Sequence, residues 1–157
     1  MLTSGVNHIT LKVRDLWASD RYYGEILGLR LVGKRAGMLF YSAGGHHHDL
    51  ALMQVGPNAA SPVSHQTGLA HFCLNVVSEA ALIALYRKCL DAGLVVSGGV
   101  SHVVMHSFYI QDPDGHTVEM GVDVPMEAWT DKLNAYAKDE HYRILGADKL
   151  STGGSRI

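Results

Sequence analysis

Polar and apolar residues alternate over two short, similar stretches. Val6-Asn7-His8-Ile9-Thr10-Leu11 and Leu69-Ala70-His71-Phe72-Cys73-Leu74 both read with period two, and both carry histidine at the third place. Behind each comes a helical spacing that stops at Gly-Leu. The first predicted helix runs from near Leu16 to Leu27 before Gly28-Leu29, the second from near Glu79 to Asp91 before Gly93-Leu94. Phe40-Tyr41 then lies 68 positions before Phe108-Tyr109. The same offset lays His48-Asp49-Leu50-Ala51-Leu52 on His116-Thr117-Val118-Glu119-Met120 without a gap, which makes Tyr41 the counterpart of Tyr109. The pattern predicts two copies of a strand–helix–strands unit, about residues 4–56 and 67–123, with Pro57 to Ser64 as linker.

The sharpest local signal is Ser107 to Met120. Phe-Tyr-Ile is a strand, Asp112-Pro113-Asp114-Gly115 a tight turn, and Thr-Val-Glu-Met a second strand. Glu119 stands out, because a carboxylate among strand formers must be solvated, paired or metal-bound. Beyond the second copy, Trp129, Leu133, Tyr136 and Ala137 recur at helical spacing, so a C-terminal helical extension is expected over 126–145.

Strand parity separates the faces. His8, Thr10 and Lys12 point away from Ile9, Leu11 and Val13; His71 and Cys73 point away from Phe72 and Leu74; Glu119 and Thr117 point away from Val118 and Met120. Two histidines and a glutamate therefore all avoid the helix-packed face. Two neutral imidazoles and one carboxylate form a facial set that binds a divalent metal and leaves positions open, so His8, His71 and Glu119 are the expected ligands.

Composition narrows the setting. A chain of 157 residues builds one substantial core, and the repeats are expected as halves of a single domain spanning 1–157. A formal charge of −2 argues against nucleic acid or an anionic membrane as partner. No apolar run is of spanning length and no leader pattern is present, which makes a cytoplasmic location the expectation. Cys73 and Cys89 are expected as buried, reduced thiols.

With these residues in place, the chain resembles the vicinal oxygen chelate superfamily, which includes glyoxalase I, fosfomycin-modifying thiol transferases, methylmalonyl-CoA epimerase, bleomycin-binding proteins and type I extradiol dioxygenases. The resemblance covers about residues 4–130, with Asp112-Pro113-Asp114-Gly115 and Glu119 as its most distinctive motif. It implies an α+β fold of two βαβββ modules forming a cupped, incomplete barrel. Chemistry is not implied by fold alone.

Three features point within the family. Ala51 stands where the first copy would mirror Glu119, whereas glyoxalase-type and epimerase members usually carry a fourth ligand there; a freed position suits a metal that takes both a chelating substrate and a second small molecule. His48-Asp49-Leu50-Ala51-Leu52, inside the run His46-His47-His48, resembles the segment bearing the acid–base histidine of extradiol dioxygenases. Strict alternation instead puts His47 on the face of Ala51, so His47 stands beside His48 as candidate; His46 reads as loop. Tyr109 and His102 match the tyrosine and upstream histidine of the same enzymes, although Val103 follows His102 where the family usually has glycine. His106 is a lesser substitute and His116 a turn residue.

The resemblance thus implies an extradiol ring-cleaving dioxygenase using Fe(II), with Mn(II) the lesser choice, acting on an aromatic diol and dioxygen. His48, Tyr109 and His102 would serve catalysis, in a homodimer or higher homo-oligomer. The alternatives are a glyoxalase- or fosfomycin-type lyase, isomerase or transferase, and a bleomycin-resistance-like binder. Between His71 and Glu119 the only basic residues are Arg87 and Lys88, both on the predicted helix, which speaks against a phosphonate substrate.

Overall fold

The structure, a computed structural model, describes residues 2–129 and 140–142. The chain divides into two compact units, Met1–Val63 with Asp112–Gly115, and Ser64–Gln111 with His116–Ile157.

In the first unit the order is β1 (Ile9–Val13), α1 (Leu16–Asp20), a π-helical stretch (Arg21–Ile26), β2 (Arg30–Arg35), β3 (Met38–Ser42) and β4 (Leu50–Gln54). The sheet runs β1-β4-β3-β2, with β1 and β4 parallel. Alternation is kept on β1: Leu11 and Val13 are buried while Thr10 and Lys12 face water. The sequence predicts one helix here; the structure splits it. Asp15 caps α1 by accepting from the Trp17 amide, and the winding then loosens to bonds such as Leu27 N–H to Tyr22 C=O at 3.0 Å. Two consecutive tyrosines, Tyr22 and Tyr23, are buried in this stretch, beside a core that includes Leu39, Tyr41, Leu50 and Leu52. The stretch stops at Gly28, whose φ of +80° only glycine takes without strain.

The second unit repeats the order as β5 (Phe72–Asn75), α2 (Glu79–Asp91), β6 (Gly99–Ser101), β7 (Met105–Gln111) and β8 (Thr117–Asp123), followed by β9 (Glu140–Tyr142). Its sheet runs β5-β8-β7-β6-β9, again with the first and last strands of the repeat parallel. Ser78 caps α2 through the Ala81 amide, and Gly93, at φ +76°, follows its end. The buried residues of α2 are Leu82, Tyr86 and Cys89. Tyr86 meets Phe108 of β7 edge to face at 5.2 Å. The expected βαβββ repeat is present in both units.

Of the helical extension expected over 126–145, residues 130–139 and 143–145 lie outside the described residues; the described ones form a 3-10 turn at Met126–Ala128 and, where the expectation ran the helix on through 140–142, the strand β9, antiparallel to β6. Backbone pairing accounts for β9. Beyond β7, β6 presents an unpaired row of N–H and C=O groups, and a passing segment satisfies it as a strand. Among the described residues no helix is long and apolar enough to cross a membrane.

Candidate metal and catalytic site

In the second unit, register brings the chemistry together. On β8, Glu119 is paired with Cys73 of β5 on one side and Tyr109 of β7 on the other. Paired positions share a face, so these three side chains emerge together, with His71 two residues ahead of Cys73. Glu119 is only 4% exposed. His71 Nε2 lies 3.3 Å from its Oε2, and His102 Nε2 lies 3.4 Å from its Oε1. His102 Nε2 is also 3.1 Å from the Tyr109 hydroxyl, while the Tyr109 ring stands nearly perpendicular to His71 at 5.5 Å.

Glu119 Oε1 makes no hydrogen bond among the described residues, and no lysine or arginine there is paired with this carboxylate. A buried carboxylate flanked by two imidazoles and a neutral thiol, with no basic side chain against it among the described residues, suits a cation. The separation fits as well: two donors each about 2.1 Å from one ion, at right angles, lie about 3 Å apart. His71 and Glu119 therefore suit a divalent metal, although no three of the described histidine, cysteine, aspartate and glutamate side chains form a complete ligand set.

Cys73 was not singled out by sequence reasoning as a site neighbour. The expectation of two buried thiols holds for Cys89, whereas Cys73 is exposed as a residue. Its thiol is pushed up to about 12, first by desolvation and then by the negative charge of Glu119, so it stays neutral there. The available signal was parity, which places Cys73 with His71.

The first unit gathers different residues. His8 is exposed just ahead of β1, its Nδ1 2.8 Å from Asn7 Oδ1. The His48 ring lies 4.5 Å from His8 and 5.1 Å from Phe40, and His47 lies 6.2 Å from His8. His47 and His48 approach each other through their Nδ1 atoms at 2.6 Å. The alternation argument for His47 lapses because β4 begins only at Leu50, so neither histidine obeys strand parity. The preceding loop is held by Asp49, which accepts from Ser42 Oγ and the Ala43 amide. His48 has its pKa lowered, first by desolvation and then by His47 and His8.

The two units confirm one alignment and correct another. Ala51 pairs with Thr10 as Glu119 pairs with Cys73, so Ala51 does occupy the glutamate's place. Tyr41, however, is not the counterpart of Tyr109. Eleven positions separate Phe40 from its partner Ala51, while ten separate Tyr109 from Glu119, so Phe40 holds the equivalent place. Tyr41 is fully buried and donates to Asp20 Oδ1 at 2.5 Å. Tyr109 is half-buried beside Glu119. The connection in the first copy is longer by one residue, and an ungapped alignment cannot register that.

The remaining histidines sort themselves. The Nδ1 of His106 lies 3.1 Å from Glu79 Oε2 at the start of α2, on the face opposite Tyr109. His46 is exposed, its carbonyl accepting from Ser42 Oγ, and His116 directly follows the turn glycine.

Residues 5–120 match the family described as Glyoxalase/Bleomycin resistance protein/Dioxygenase superfamily. The chain belongs to this superfamily. It is similar to a biphenyl-2,3-diol 1,2-dioxygenase of Rhodococcus globerulus, 30% identical over 78% of this chain and 65% of the relative. It is also similar to an iron-dependent extradiol dioxygenase of Rhodococcus jostii, 27% identical over 80% of this chain and 46% of the relative. The chain thus spans between about half and two thirds of these relatives' length. A solved glyoxalase/dioxygenase from Nostoc punctiforme shares the superfamily fold, with a TM-score of 0.64 at 20% identity over 76% of this chain and 91% of that one.

Proposed function

We propose that this superfamily member is an Fe(II)-dependent extradiol dioxygenase, cleaving the ring of a catechol-type substrate with dioxygen as co-substrate. The observation that carries the reading is the buried Glu119 carboxylate, with an oxygen left unbonded and two imidazoles against it, in a chain similar to enzymes named as ring-diol dioxygenases. His71 and Glu119 would hold the ion, with His8 as third ligand from the repeat pattern. Bound there, the metal would orient the diol and the oxygen and let electron density pass between them.

The protein's own groups account for the rest. His48, kept neutral near pH 7, accepts a proton from a substrate hydroxyl; its Nδ1 is engaged with His47, which leaves Nε2 for the transfer. Tyr109 and His102, already bonded to each other, offer donors to substrate oxygens. Ala51, at the first copy's register of Glu119, would bring no fourth ligand to such an ion.

The test is anaerobic reconstitution with Fe(II) or Mn(II), metal analysis, and oxygen uptake against simple and aryl-substituted catechols. The expected result is one ion per chain, lost in His8→Ala, His71→Ala and Glu119→Ala but kept in Thr10→Ala, with uptake on at least one catechol. Retained metal without any uptake would favour a glyoxalase-type reaction. Absence of metal retention would favour a ligand-binding protein.

A further inference from the structure

Val103 has a φ of +66°, the one positive value at a non-glycine position among the described residues. For a β-branched side chain this region is a genuine outlier, and such strain persists only where the surroundings impose it. The Val104 amide donates to the His102 carbonyl at 2.7 Å around Val103. With a positive central φ, that bond describes the rare, strained form of γ-turn. The turn closes the hairpin between β6 and β7, where the His102 amide donates to the Met105 carbonyl at 2.9 Å. Both backbone polar groups of His102 are therefore held by the reversal that Val103 makes.

The consequence falls on one side chain. Ser101 pairs with His106, on the α2 side of the sheet, so His102 is the last residue before the reversal to face the Tyr109 side. Its Nε2 reaches the Tyr109 hydroxyl at 3.1 Å and Glu119 Oε1 at 3.4 Å. We infer that Val103 is a positioning residue, whose strained γ-turn aims the His102 imidazole at Tyr109 and Glu119. The inference rests on the proposed function only in giving those two residues a catalytic setting.

Three substitutions separate it from a purely structural role. Val103→Gly and Val103→Asn accept positive φ, whereas Val103→Pro fixes φ near −65° and forbids the turn. In metal-free protein, NMR contacts between the His102 and Tyr109 rings are expected to survive in the Gly and Asn variants and vanish in the Pro variant. The Tyr86–Phe108 core contact should stay in all three. In the iron-loaded enzyme, Val103→Pro should lower turnover to the level of His102→Ala, and the double variant should be no slower than His102→Ala alone. Should Val103→Pro not fold, one glycine inserted after Val103 breaks the same turn at a hairpin tip, with the same outcomes expected. Persistence of the His102–Tyr109 contact without the turn, or a loss additive with His102→Ala, would overturn the inference. If the contact depends on the turn but no variant, wild type included, takes up oxygen, the positioning role stands and the dioxygenase reading falls.

Discussion

At the scale of single residues, the site is defined by what burial does to charge. Glu119 is held in a nearly inaccessible place with one oxygen unbonded, an arrangement that costs stability unless a cation offsets the buried charge. Glu119→Gln keeps shape and removes the charge. The metal-free variant is expected to melt no lower than wild type by calorimetry, while metal retention falls by about 100-fold or more; a lower melting point with unchanged retention would refute this account. His48 has the opposite problem, since burial and two neighbouring imidazoles disfavour its charged form. Its folded pKa lies below the unfolded value near 6.5, so the stability it contributes is present above about pH 6.5 and is lost as pH falls towards its folded value. His48→Gln should therefore flatten the fall in melting temperature of the metal-free protein on acidification below pH 6.5. The same variant should keep the metal and lose roughly two to four decades of turnover, with His46→Gln as an inert control; wild-type uptake by His48→Gln would move the acid–base role to His47 or His102.

At the scale of elements, the Asp112-Pro113-Asp114-Gly115 turn does more than reverse the chain. Tyr23 donates to Asp112 Oδ2 at 2.8 Å, and the Asp114 amide donates to Asp112 Oδ1. Asp114 accepts from the Arg14 amide and, at 2.6 Å, from Arg14 Nε. Both carboxylates are 5% exposed. Asp114→Ala leaves the Arg14 amide and guanidinium without this acceptor and should cost about 2–3 kcal/mol, discounted for the part-exposed arginine, read as a lower urea midpoint at unchanged slope. The turn was legible from composition, since Asp, Pro and Gly dictate it locally. Its partners were not, because Arg14 lies 100 positions before Asp114 and Tyr23 lies 89 before Asp112, and nothing local marks them.

At the scale of the whole molecule, the contact units cut across the repeat. Residues 112–115 count with the first unit, although the strands on either side count with the second. A fragment beginning at Ser64 would carry both turn carboxylates without Arg14 and Tyr23. Two buried acceptors would lose their donors, so the fragment is expected to show no cooperative thermal transition by circular dichroism, whereas the full chain melts cooperatively. A sharp transition in the fragment would show that the turn stands without those donors.

The sequence by itself determined the strand–helix–strands repeat, the helix stops at Gly28 and Gly93, and the strand faces of β1 and β5, all from period, turn chemistry and glycine's freedom at positive φ, which act over a few residues. The βαβββ modules and the superfamily were implied by the resemblance that its motifs carry. Only the tertiary structure decided that Phe40 and not Tyr41 takes the place of Tyr109, that His48 lies nearer His8 than His47 does, and that Cys73 borders Glu119. It likewise decided that β6 takes a strand, β9, as its outer neighbour. Those outcomes depend on strand register and on backbone groups seeking partners far along the chain. A one-residue change in a loop alters them while leaving every local pattern intact.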